Sequence, residues 1–136
     1  MNVMNKWSVI AEQCKHIGME EKNYMIMDSY EDIKSYMYPI PDVNGAIRYR
    51  PEIDPFFGEM DKEPEKYFEV KMVSNSNDVM FGIVNRGRYV IKKTIHIDAN
   101  DNISHGFIIK QFEQLINGID SPTIRNYYKS ILIEMN

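Results

Sequence analysis

Residues 67–97 carry three apolar segments, two of them joined by the tight turn Val84-Asn85-Arg86-Gly87-Arg88, and two short amphipathic segments follow at once. This stretch constrains the fold more than any other. In 67–73, Phe68, Val70 and Met72 alternate with Glu69 and Lys71, the period of a strand with one covered face. Segment 79–84 is almost wholly apolar and suits the middle of a sheet. In 88–97, Tyr89, Ile91, Ile95 and Ile97 fall on one side, and Lys92, Thr94 and His96 on the other. Ser74-Asn75-Ser76-Asn77-Asp78 makes the first connection polar.

The turn sets a register. With Asn85 and Arg86 central and Gly87 left-handed, Val84 pairs with Arg88, Ile83 lies beside Tyr89, and Phe81 lies beside Ile91. Lys93 is the misfit on that apolar face, where its stem packs while its ammonium reaches water.

Helical signals surround the strands. Trp7, Ile10, Ala11, Cys14 and Ile17 recur at helical spacing over 4–17, with Gly18 as terminator. Ser104 caps a helix carrying Ile108, Phe112, Leu115 and Ile116, which Gly118 ends, and Ser121-Pro122 starts another through Ile124, Tyr127, Tyr128, Ile131, Leu132 and Met135. A further helix is expected over 30–38, stopped by Pro39 and Pro41, and a short edge strand over 46–49 after the Asn44-Gly45 turn. The fold class expected is α+β: a small antiparallel sheet of three to four strands packed against C-terminal helices, preceded by one or two N-terminal helices. With 136 residues, the chain is read as a single domain, 1–136, with a Pro-rich acidic loop at about 50–66.

Composition narrows the chemistry. One cysteine, Cys14, excludes an internal disulfide and fits a reducing compartment; on the apolar side of its helix it reads as a small buried hydrophobe. No apolar run is long enough to span a bilayer, so no membrane partner and a cytoplasmic location are expected. A formal charge of -4 does not by itself suggest nucleic acid. Isoleucine outnumbers leucine 19 to 2, which favours sheet packing whatever its origin.

Familiar catalytic motifs are missing. No Gly-x-Ser-x-Gly elbow, phosphate-binding loop, dinucleotide glycine pattern or HExxH occurs. Asp98-Ala99-Asn100-Asp101-Asn102 resembles the start of a calcium loop, but its sixth position is Ile103 and its twelfth Ile109, so a polar turn explains it better. Of the histidines, His96 and His105 flank that turn and are placed to approach one another beside Asp98 as a metal site, but an exposed strand histidine and a first-turn helix histidine need no ligand. Cys14 and His16, two apart on a helix, point different ways and make no nucleophile pair. No cofactor and no metal are expected.

Two surfaces are left for a partner. Phe56 and Phe57 sit among acidic residues including Glu59 and Asp61; adjacent aromatics gain free energy by leaving water, either as a plug on the core or as an anchor for another protein. Arg86 and Arg88 would form a second charged contact. The leading reading is therefore a non-catalytic protein-protein interaction or regulatory protein, with no catalytic residues. One alternative is RNA or single-stranded DNA binding through Arg48, Tyr49, Arg86, Arg88 and Lys92. Another is a small enzyme whose dispersed site combines acidic-loop carboxylates with His96 or His105. The last helix, rich in Tyr and Ile, suits either the core of a monomer or the interface of a homodimer.

Overall fold

The computed structural model describes residues 3–29, 47–48, 67–85, 88–98 and 100–135, with the main chain alone at 3–5, 47–48 and 88. The expected helix at 30–38, the Asn44-Gly45 turn and the loop at 50–66 lie outside the described residues. In chain order come α1 (Val3–Ile17), a 3-10 turn, β1 (Tyr24–Met27), β2 (Ile47–Arg48), β3 (Phe68–Val73), β4 (Asp78–Asn85), β5 (Arg88–His96), α2 (His105–Asn117) and α3 (Pro122–Met135). The strands form one sheet in the order β1-β3-β4-β5-β2. This is the α+β arrangement expected, with apolar β4 at its centre and the short strand near residue 47 at its edge.

Strand β1 is an addition to that expectation. It pairs parallel to β3, Tyr24 opposite Val70 and Met27 opposite Val73, so the sheet is mixed. Every other pairing is antiparallel.

The β4–β5 hairpin corrects the expected register. Asn85, not Val84, pairs with Arg88, and Val84 pairs with Tyr89. The ladder then shifts between Ile83 and Val84, so that Ile83 faces Ile91, Phe81 faces Lys93 and Val79 faces Ile95. Val90 is the extra residue of a bulge. The turn displaces the pairing by one residue and the bulge by another. Because side chains alternate with period two, the combined displacement keeps Ile91, Lys93 and Ile95 on the expected face. Val90 itself turns into the main core, and Tyr89, on the turn side of the bulge, leaves the expected face. Tyr89 joins Val73, Met80 and Val84 in a separate cluster, away from the main core.

The main core lies between the other sheet face and the helices. Phe68, Val70 and Met72 from β3, Val79, Phe81 and Ile83 from β4, and Ile91 from β5 meet Ile10, Cys14 and Ile17 of α1, Ile108, Phe112 and Ile116 of α2, and Tyr128 and Leu132 of α3. Edge-on aromatic contacts run through it: Phe112 lies 5.0 Å from Phe68 and 5.7 Å from Phe81 between ring centroids. Lys93, on this face, sends its ammonium to Gln114 Oε1 at 2.5 Å at the exposed rim.

The helix ends follow the capping residues. Ser104 Oγ accepts from the Phe107 N–H at 3.1 Å, and Ser121 Oγ accepts from the Ile124 N–H at 3.3 Å. Arg125 ties the α2–α3 connection to α3, donating from Nε and Nη2 to the Ile119 carbonyl at 3.0 and 2.8 Å. At the other side of the fold, Lys6 Nζ donates to the Asp101 carbonyl and fastens α1 to the segment before α2.

Cys14 is fully buried, and burial pushes its thiol from an ordinary 9.0 up to about 12. The folded chain therefore holds the thiol proton more tightly than the unfolded chain. Below pH 9 this has no effect on stability. Between pH 9 and 12 the unfolded chain releases the proton first, and folding weakens by about 1.4 kcal/mol per pH unit. The guanidinium midpoint is expected to fall more steeply from pH 8 to pH 10 in the native chain than in Cys14→Ala, by the equivalent of about 1 kcal/mol at pH 10. Equal slopes would mean the thiol is not desolvated.

Candidate functional site

Helices α2 and α3 face the sheet with one stripe each, and the seam between their outer edges is open. Ile109, Ile116 and Leu132 are buried along its floor, while Glu113, Asn117, Lys129 and Ile133 stand around it; together they line a groove of about 300 Å³. The helical period explains the opening. Ile124, Tyr128, Ile131 and Leu132 turn inward, and Ile133 falls outside that stripe with 74% of its surface exposed. Val9 and Ile133 are the large exposed apolar side chains among the described residues. Ile133 thus leaves a branched apolar side chain in water beside an apolar floor.

The groove was not singled out from the sequence. Ile133 is one more isoleucine in an isoleucine-rich helix, and the one available signal is its position off the 124, 128, 131, 132 stripe. Ile109, beside core Ile108, is equally inconspicuous.

The opposite face of the sheet holds a polar cluster built on Tyr89. Its hydroxyl donates to Glu69 Oε2 at 2.8 Å, and the same carboxylate oxygen lies 3.3 Å from Lys71 Nζ. The ammonium groups of Lys71 and Lys92 lie 5.7 and 5.6 Å from the Tyr89 ring centroid. Both lysines are buried, 5% and 6% exposed. Lys92 was expected on an accessible outer surface; it points to the expected side, but that side is covered there.

His96 stands at the far end of β5, where Nδ1 lies 3.1 Å from Asp78 Oδ1 and Nε2 lies 3.5 Å from Asp98 Oδ1. Both ring nitrogens face carboxylates. The turn after it is held by its own polar atoms: Asp101 Oδ2 accepts from the Asp98 N–H at 2.7 Å, and the Asp101 N–H donates to the Asp98 carbonyl at 3.0 Å. The polar-turn interpretation of this segment accounts for these bonds. Among the described residues, no three His, Cys, Asp or Glu side chains are grouped to hold a metal ion.

Of the other residues singled out from the sequence, Tyr49, Phe56, Phe57, Glu59, Asp61 and Arg86 lie outside the described residues. Arg48 and Arg88 are placed by main chain alone, in β2 and at the start of β5. Since β2 pairs with β5 through Ile47–Lys92 and Arg48–Ile91, the two basic segments do share one edge of the sheet. No helix among the described residues is long and apolar enough to cross a membrane.

These features define an α+β protein whose helical layer carries an open apolar groove. No family model, curated protein or solved structure matches the chain.

Proposed function

We propose that the protein acts by binding another protein chain, and that the α2–α3 groove is a contact surface. One observation carries this reading: Ile133, 74% exposed, borders a groove of about 300 Å³ floored by buried isoleucine and leucine. Helical grooves with apolar floors and mixed polar rims accept a helix or a side-chain anchor from a partner, and the free energy comes from apolar surface leaving water. Phe56 and Phe57, with Glu59 and Asp61, and Arg86 with Arg88, remain proposed as further contacts in such a regulatory or adaptor role.

Two observations weigh against the alternatives. Lys92, one of five residues proposed for a nucleic-acid surface, is 6% exposed and lies against Tyr89. His96, proposed for a dispersed active site, already has a carboxylate at each ring nitrogen.

The test is a quantitative comparison of the proteins retained by the native chain and by Ile133→Asp when each is used as bait in its cell of origin. At least one species, second copies of the chain included, is expected to be retained by the native bait and lost from the variant. Identical retained sets would remove the groove from consideration.

A further inference from the structure

We infer that the α2–α3 groove is an isologous interface, occupied by α3 of a second copy of this chain. The inference rests on the groove being a protein-binding surface and names its occupant. A two-fold contact requires one patch to carry both halves of every interaction, because residue i meets j while j meets i. This patch does.

The apolar halves are Ile133 and the groove beside it. A two-fold axis crossing α3 seats each exposed Ile133 over the buried Ile109, Ile116 and Leu132 of the other copy. The charged halves are Glu113 on the α2 wall and Lys129 on the α3 wall. Neither makes an ion pair or hydrogen bond among the described residues, and they do not pair with each other. The same axis brings each Lys129 to the partner's Glu113, so two unused charges of opposite sign meet twice. The remaining lining residues are uncharged, which leaves the patch locally neutral on a chain of formal charge -4. Two copies therefore approach here without the repulsion that their net charge imposes elsewhere.

The surface of α3 also permits close approach. Ser130, exposed one turn before Ile133, turns its hydroxyl back to the Tyr127 carbonyl at 2.7 Å. It presents a small side chain whose donor is already used, so covering it leaves no proton unpaired. A heterologous partner needs only the groove or only the knob. The presence of both, with matched charges, is what favours a second copy.

The experiment is sedimentation equilibrium of the full chain over about 1 µM to 1 mM, a range that captures weak as well as moderate dimers. The native chain is expected to move from monomer to dimer within it. Ile133→Asp is expected to raise the dissociation constant about a hundredfold or more, since symmetry counts each substitution twice. Its circular dichroism should be unchanged because the side chain is largely in solvent. Glu113→Lys and Lys129→Glu are each expected to weaken the dimer about tenfold, and the double variant to recover to within about threefold of native. A native chain that stays monomeric throughout, a dimer indifferent to Ile133→Asp, or a double variant no tighter than its parents would each overturn the inference. If the native chain is monomeric yet Ile133→Asp loses a captured protein, the second copy is excluded and the binding surface stands with a different occupant.

Discussion

Phe112→Ala is expected to lower stability by about 3–5 kcal/mol, close to the whole stability of a marginal small domain. Phe112 is fully buried in α2 and meets two sheet residues edge-on, Phe68 from β3 at 5.0 Å and Phe81 from β4 at 5.7 Å between centroids. Its ring therefore joins the helical layer to two adjacent strands. Truncation forfeits the transfer free energy of the ring and both aromatic contacts. It also leaves a cavity bounded by backbone elements that cannot close on it, because β3 and β4 are locked by their ladder from Phe68–Ile83 to Met72–Val79. Urea unfolding followed by circular dichroism would show the midpoint falling with little change in the slope. A loss below about 1 kcal/mol would mean that the layers do not depend on this ring.

Phe112 also shows what was legible before the fold was known. It recurs with Ile108, Leu115 and Ile116 at helical spacing, between a serine that caps and a glycine that ends the helix, and these local signals agree with one another. The alternation of Phe68, Val70 and Met72 was readable for the same reason. Strand β1 was not. Its sequence, Tyr24-Met25-Ile26-Met27, is too short to display a period, and its parallel pairing with β3 joins residues far apart in the chain. The bulge at Val90 was equally hidden, since a single extra residue leaves the pattern beyond it unchanged once the turn has shifted by one.

The limits at the surface have a related cause. Alternation tells which side of a strand a residue faces, but not whether that side is covered. Lys71 and Lys92 were assigned correctly away from the main core, yet both are buried. Ile133 is the converse case, an apolar residue left in water because the helical stripe passes it by. Both facts depend on what lies opposite, which is a property of tertiary packing.

The face that holds Tyr89 leads to the second large effect. Gly82→Ala is expected to destabilise the fold by about 1–3 kcal/mol, although alanine is the better residue in an ordinary strand. A Cβ at position 82 would stand 2.5 Å from Cε1 and 2.8 Å from Cδ1 of Tyr89, and 3.2 Å from Sδ of Met80. Met80 can bend away, but the tyrosine ring is held. Its hydroxyl is committed to Glu69 at 2.8 Å, and the buried ammonium groups of Lys71 and Lys92 lie within 6 Å of its centroid, at 5.7 and 5.6 Å. Swinging the ring to admit a methyl group would break the bond to Glu69 and disturb two buried cations. The bulge is what creates this contact: by turning Tyr89 off the main-core face, it lays the ring across the strand position that has no side chain. A double-mutant cycle separates this account from a general intolerance at Gly82. In a Tyr89→Ala background, which carries its own cost, the added Cβ meets no ring, and Gly82→Ala is expected to be neutral or stabilising by about 0.5–1 kcal/mol. Equal costs of Gly82→Ala with and without the ring, measured by urea midpoints of the four proteins, would place the strain somewhere other than this glycine-tyrosine contact.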